Sequence, residues 1–350
     1  LLFHPIHFKK GFYMKALAID KGSVTRFIDI AEPDCPADHV LIRVERVGLC
    51  GSDLNTWRGL NPLTQYPCIP GHEIGGKILQ TGSQVKHILE GDRVVVLPCT
   101  ECGHCSSCLS GRPNACKNNQ TLGVQRQGGM VPLLSIPANK VIVCNSLSSD
   151  ELALVEPLAV GLHAARRAQI NVGEWVVVMG CGVIGLGAIA AANAMGGRVV
   201  AIDIDDRKQA VAKACGAERY INSARENVAE ILAKLNEDRG PAVVIEAIGL
   251  DKTIEQAVEL AAFCGRVVYV GYAKKPVNYE SARFLMKELD IRGSRNATVA
   301  DFRAVLSLME KQCYPIELII SAHYPIDTAD RAFSDWAANP GAFTKILIDL

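Results

Sequence analysis

Neither sign of charge predominates in this chain. Lysine plus arginine and aspartate plus glutamate both number 37, so no net field draws it to nucleic acid or to an anionic membrane. Internal repeats and low-complexity linkers are missing as well. Leu1 to Tyr13 contains no apolar core of the kind a secretory signal needs, and Lys9 and Lys10 follow the apolar residues instead of preceding them. Nothing argues for export. Met14-Lys15-Ala16-Leu17 resembles a natural start, so the residues before it read as an extension. One charge-free run, Trp175 to Gly197, has the length of a bilayer span. Its glycines at 180, 182, 185, 187, 196 and 197 suit a strand, a tight turn and a buried helix better, and no membrane span is expected.

What remains is a globular composition, 49% hydrophobic and 21% charged, over 350 residues. That length accommodates two domains with separate cores. Thirteen cysteines would suggest disulfides in a small secreted protein. Here four cluster at metal-ligand spacing, while Cys181, Cys215 and Cys264 lie in apolar segments. A reducing, cytoplasmic setting with thiolate metal binding is expected.

The chain changes texture near Glu151. Before it, short β-type runs such as Val40–Val44 and Arg93–Leu97 are broken by glycine, proline and aspartate. After it, strands are expected at Trp175–Met179, Val199–Asp203, Val243–Ala247 and Arg266–Val270. Helices are expected at Ile184–Met195, Asp206–Cys215 and Thr253–Phe263. Such alternation means βαβ units and a parallel sheet. Beyond Asn296, a helix at Phe302–Lys311 leads into pieces that run to Lys345–Asp349 and could pack back on the first half.

Cys102, Cys105, Cys108 and Cys116 form C-x-x-C-x-x-C-x7-C. Four thiolates close a tetrahedral zinc site and leave no position for substrate, so this zinc is structural. The alternative of a nucleic-acid zinc module finds only Arg112 and Lys117 as cations between Cys99 and Asn118, with no basic helix after them. Cys50 lies in Gly-Leu-Cys-Gly-Ser-Asp, and His72-Glu73 in Pro-Gly-His-Glu; both sit at turns where side chains can converge. One sulfur, one nitrogen and one oxygen would leave a coordination position open, as catalysis requires. Asp53 is placed to orient His72 through its second ring nitrogen. Glu156, an acid in apolar Val-Glu-Pro-Leu, needs a partner, and a metal-linked role fits, directly or through water.

Gly180-x-Gly182-x-x-Gly185 follows an apolar strand and opens a helix through Val183 and Ile184, with Asp203 ending the next strand. This is the dinucleotide fingerprint: close approach of pyrophosphate to backbone N–H groups, then an acid for the adenine ribose. Asp203 favours NAD over NADP, while Arg207 blurs the preference or simply covers the adenine.

In their order, these motifs and Glu-Pro-Leu-Ala-Val-Gly-Leu-His-Ala resemble the medium-chain zinc alcohol dehydrogenases, from Met14 to the end of the chain. The sorbitol, threonine and sugar-acid (L-galactonate, L-idonate) branch is most similar. The resemblance implies an α/β fold: a mostly-β GroES-like catalytic domain over 14–158, a Rossmann doubly wound parallel sheet over 159–295, and a return segment, 296–350, packing on the first. It implies two zincs per chain, one catalytic on Cys50, His72 and Glu73 with Glu156 beside it, and NAD as hydride acceptor. Ser52 matches the hydroxyl that passes the substrate proton outward. A homo-oligomer, dimer or tetramer, acting on a small molecule is expected.

Three departures bear on substrate. Asn55 stands where many members have a proton-relaying histidine, and Thr56 where sorbitol dehydrogenases tend to have tyrosine, while Trp57 is retained as a candidate substrate contact. Gly293-Ser294-Arg295-Asn296 resembles the sugar-acid enzymes; Arg295 either faces substrate or pairs with Glu156. The expected reaction is oxidation of a secondary alcohol in a sugar acid or polyol. An amino alcohol, as in threonine dehydrogenases, is the alternative, as is a redox sensor that holds zinc and NADH without turnover. His163 is expected to be a packed helix residue.

Overall fold

The computed structural model describes residues 8–235 and 237–350. The chain divides into two compact units, Leu1–Glu156 with Ile320–Leu350, and Pro157–Ile319.

The first unit is built on β-strands. Its main sheet runs in the order Ile320–Pro325, Lys345–Asp349, His39–Gly48, Glu73–Thr81, Arg93–Val96, Val141–Val143, with Leu133–Pro137 also paired to His39–Gly48. The hairpin Phe8–Asp20 and Val24–Pro33 forms a separate sheet. Ile42, Val44, Ile74, Ile78, Val94 and Val96 meet Phe333, Ile346 and Ile348 in one core, so the last thirty residues complete a core begun by the first hundred. The extension expected before Met14 is partly strand, since the first hairpin starts at Phe8; residues 1–7 lie outside the described residues.

The second unit is a six-stranded parallel sheet. Its order is Arg219–Asn222, Arg198–Asp203, Trp175–Met179, Val243–Glu246, Arg266–Tyr269, Asp290–Gly293. Val176, Val177, Val178, Val243, Val244 and Ile245 are fully buried, as expected of strands covered on both faces. Chain order reverses on either side of Trp175–Met179, which places a switch point beyond Met179 and Glu246, where doubly wound sheets bind ligands. The helix Val183–Ala194 starts there. Among the described residues no helix is long and apolar enough to cross a membrane.

Two elements differ from the sequence expectation. Helix Ser149–Ala168 runs on through Pro157 although proline removes one helical hydrogen bond, and the division between units falls inside it. The return to the first unit comes at Ile320, not at 296. The helix Val299–Glu310 is retained in the second unit by Asp301, which accepts hydrogen bonds from His163 Nδ1 (2.8 Å) and Arg166 Nη1 (2.7 Å). His163 is thus a buried packing residue, as expected.

Asp301 also caps its own helix, accepting from the Thr298 N–H (2.8 Å) and hydroxyl (2.6 Å). Burial alone would raise its pKa, but the bonds from His163 and Thr298 outweigh burial and hold it at about 2. The resulting stability is fully present above about pH 4 and is lost as pH falls toward 2. Asp301→Asn should therefore lower unfolding free energy by roughly 2–4 kcal/mol at neutral pH and flatten the acid limb of the stability profile. Chemical denaturation across pH measures both, and an unaltered acid limb would contradict the assignment.

Candidate active site

His39–Gly48 and Glu73–Thr81 are antiparallel neighbours, with Gly48 opposite Glu73. Their ends set the site. Cys50 follows the first strand as N-cap of the short helix Gly51–Trp57, and His72 precedes the second. Asp53 ties the two turns together: its carboxylate accepts from the Cys50 N–H at 2.9 Å and the Gly71 N–H at 3.3 Å. The expected bond from His72 to Asp53 is not formed, since Nδ1 stands 3.9 Å from the carboxylate. Asp53 spends its oxygens on backbone instead.

Donor atoms of Cys50, His72 and Glu73 all lie within 4.8 Å of one another. His72 Nδ1 is buried without a hydrogen-bond partner, and so is the Ser52 hydroxyl. Burial disfavours a charged imidazole, yet Asp53, Cys50 and Glu156 outweigh it and raise the His72 pKa well above its ordinary value. Glu156, on Ser149–Ala168, is pushed up to about 7, mainly by burial and by Glu73, against the opposing pull of His72. An imidazole, a thiol and a carboxylate whose donor atoms converge, with Asp53 and Glu156 acting on the imidazole, favour a cation. The set fits zinc. Glu156 stands outside the three-donor cluster and acts on it electrostatically, which suits a role beside the metal better than a place in its first three ligands.

The sequence reading missed Lys345. Its ammonium donates to both Glu73 oxygens, at 2.7 and 2.5 Å, and to the Leu49 carbonyl at 2.8 Å, with both side chains almost completely buried. The signal was available: Lys345 heads the strand Lys-Ile-Leu-Ile-Asp, whose other early positions are core residues. Gly48 makes room for the pair, because a Cβ there would collide with the Glu73 carboxylate.

The four-cysteine lobe is compact. Sγ–Sγ separations are 3.5 Å for Cys105–Cys108, 3.8 Å for Cys105–Cys116 and 3.5 Å for Cys116–Cys102. Four sulfurs about 2.3 Å from one zinc stand about 3.8 Å apart in a tetrahedron, so these thiols fit that ion. They are too far apart for disulfides.

In the second unit, Gly180 has φ +95°, and a Cβ on Gly185 would strike the Gly180 carbonyl. Around Gly182, by contrast, a Cβ would meet nothing within 4 Å. That open space faces the uncapped N-terminus formed by Gly182, Val183 and Ile184, a cradle that fits a pyrophosphate. Asp203 accepts from the Cys181 N–H at 2.7 Å and fixes the turn. Arg207 is held in a fork by Asp205, Nε to Oδ1 at 2.9 Å and Nη2 to Oδ2 at 2.6 Å. Lys208, another cation the sequence reading passed over, feels Asp203 and has its pKa lowered by burial.

The two candidate substrate residues belong to different units. Trp57 stacks on Phe333, centroids 6.1 Å apart, as part of the first unit's core packing. Arg295 belongs to the second unit, just past Asp290–Gly293.

Comparison with known proteins decides the family. Residues 36–146 match the alcohol dehydrogenase GroES-like domain, and 183–311 the zinc-binding dehydrogenase family. L-galactonate-5-dehydrogenase of Escherichia coli K12 is 36% identical over 84% of this chain and 86% of its own. Sorbitol dehydrogenase of Bacillus subtilis is 34% identical over 80% of this chain and 81% of its own. This chain belongs to the medium-chain zinc alcohol dehydrogenases. A solved zinc-binding dehydrogenase of Sinorhizobium meliloti 1021, bound to NADP, is 28% identical with a TM-score of 0.89, covering 97% of this chain and all of that one. The chain is accordingly an oxidoreductase acting on alcohol groups, with zinc and a nicotinamide cofactor, of α/β fold with a Rossmann sheet and a GroES-like domain.

Lys345→Met leaves the Glu73 carboxylate buried without its cation. Metal-free protein should lose roughly 3–5 kcal/mol, and added zinc should restore part of it by supplying a replacement charge. Thermal unfolding with chelator and with zinc tests this; an unchanged midpoint without metal would contradict the pair's importance.

Proposed function

We propose that this chain oxidises a secondary alcohol of a sugar acid or polyol, with NAD+ as hydride acceptor. The observation that carries the reading is the Cys50–His72–Glu73 donor set, which offers three ligands and leaves room for substrate. Zinc held there supplies a Lewis acid that lowers the pKa of an alcohol, and the nicotinamide supplies a hydride acceptor.

The chain's own groups do the rest. Ser52 presents a buried hydroxyl with no protein partner, free to accept a hydrogen bond from the substrate alcohol and take its proton onward. Asn55 cannot titrate, so the proton leaves by ribose hydroxyls and water or by Glu156. Asp203 binds the adenine ribose hydroxyls and repels a 2′-phosphate. With Arg207 engaged by Asp205, this supports NAD over NADP. The four-cysteine site holds a second, structural zinc, and cysteine thiols outside disulfides suit a reducing cytoplasm. Assembly into a dimer or tetramer is part of the same reading.

Elemental analysis should give two zincs per chain. Cys102→Ser should lower the unfolding midpoint, whereas Cys50→Ser should abolish turnover in a folded protein. One zinc in a fully active, folded preparation would sink the two-site reading.

A panel of sugar acids, polyols and L-threonine with NAD+ and NADP+, followed by absorbance of the reduced cofactor, tests the reaction itself. Turnover with NAD+ on acids or polyols is expected, with Ser52→Ala severe and Asn55→Ala mild. Silence on every alcohol despite full zinc occupancy would favour the sensor instead.

A further inference from the structure

Arg126 is a cation the reading above leaves without a task. Its Nε is buried and has no hydrogen-bond partner, and among the described residues its guanidinium enters no hydrogen bond or ion pair. Arginine cannot shed its charge to relieve this. The side chain is half-buried, and a buried guanidinium N–H with no acceptor points to a partner that arrives from outside.

The backbone shows where this cation is held. Arg126 N–H donates to the Thr121 carbonyl at 3.2 Å, and Leu122 and Arg126 form an isolated bridge. Thr121 pairs with Cys99 in a short ladder. Just past Arg126, the chain is stitched to the segment that leads into His72. Ile69 N–H donates to the Gln127 side chain at 2.6 Å and Gly128 N–H to the Ile69 carbonyl at 2.7 Å. Gly129 N–H donates to the Gly71 carbonyl at 2.8 Å and Met130 N–H to the Pro70 carbonyl at 3.1 Å. Arg126 is therefore fixed between the Cys99 ladder and the turn that presents a metal-site donor. Electrostatics agree with this placement. Burial lowers the Arg126 pKa and Cys99 opposes that, while Cys99 itself feels Glu156 and His72.

We propose that Arg126 is a specificity residue that binds an oxyanion terminus of the substrate, a carboxylate or a phosphate monoester, while the alcohol is oxidised at the Cys50–His72–Glu73 site. This deepens the proposed function and rests on it for the reaction. A guanidinium presents a planar fork of N–H donors that matches either oxyanion, with the buried Nε as one prong. The selectivity for an acid over a neutral polyol then comes from the first unit, in the segment after the cysteine lobe, rather than from Arg295.

The test compares L-galactonate, galactitol 1-phosphate and galactitol by calorimetric binding to the zinc-loaded protein with NADH, and by KM and kcat with NAD+. Wild type should bind at least one anion about 10–100-fold more tightly than galactitol. The stronger of the two anions tells carboxylate from phosphate. In Arg126→Met that ratio should fall to near one, through KM more than kcat, and Arg126→Lys should recover part of it. A ratio that survives in Arg126→Met, or that is abolished by Arg295→Ala instead, overturns the inference. So does equal weakening of galactitol and both anions, which marks a structural role. Wild type without any anion preference overturns it as well. If anions bind through Arg126 but none of the three is oxidised, the anion site stands and the substrate reading fails.

Discussion

The buried ion pair between Lys345 and Glu73 is the constraint on which the first unit depends. Taking both charges out of water costs several kcal/mol per ion unless geometry and further hydrogen bonds compensate. Here they do: the ammonium has three acceptors, two on Glu73 and one on Leu49, for its three N–H bonds. The pair joins a strand at the very end of the chain to the strand that carries His72-Glu73. Residues 272 positions apart in sequence are thus held to one register. It also holds Glu73 where its donor atom lies within 4.8 Å of those of Cys50 and His72.

Around that pair the charges are arranged so that a cation is wanted. Asp53 and Glu156 make the surroundings of His72 negative, and Lys345 offsets only part of this. The cysteine lobe solves a different problem, closing four thiols on one point, with the Ser107 hydroxyl and the Cys102 N–H beside them. Among the described residues the second unit holds no cluster of metal-type donors. Close packing at Gly185 and open space at Gly182 leave backbone N–H groups facing a ligand that carries its own charge.

Much of this was legible in the sequence. Trp175–Met179 is the strand expected, because a short valine run ending at a glycine turn favours a strand. Both metal-type clusters and the glycine turn were visible because their residues are close in sequence or carry distinctive flanks. What escaped has a common cause: it depends on partners distant in the chain. Lys345 meets Glu73, and Asp301 meets His163, across 272 and 138 positions. The return at Ile320 escaped for the same reason. So did Arg126, whose interest lies in the partner it lacks. Asp53 shows a subtler limit: its neighbourhood was anticipated, but the backbone N–H groups of Cys50 and Gly71 hold its oxygens instead of the imidazole. Trp57 was noticed for its family position, and its stack on Phe333, 276 positions away, was not legible from it.

The central claim is that Glu73 serves a metal and Lys345 at once. A crystal structure of the zinc-loaded protein tests it most directly. The account predicts zinc on Cys50 Sγ and His72, with one Glu73 oxygen about 2.0–2.2 Å from the ion while Lys345 remains hydrogen-bonded to the same carboxylate. Zinc bound by Cys50, His72 and Glu156, with Glu73 pointing only at Lys345, would contradict it.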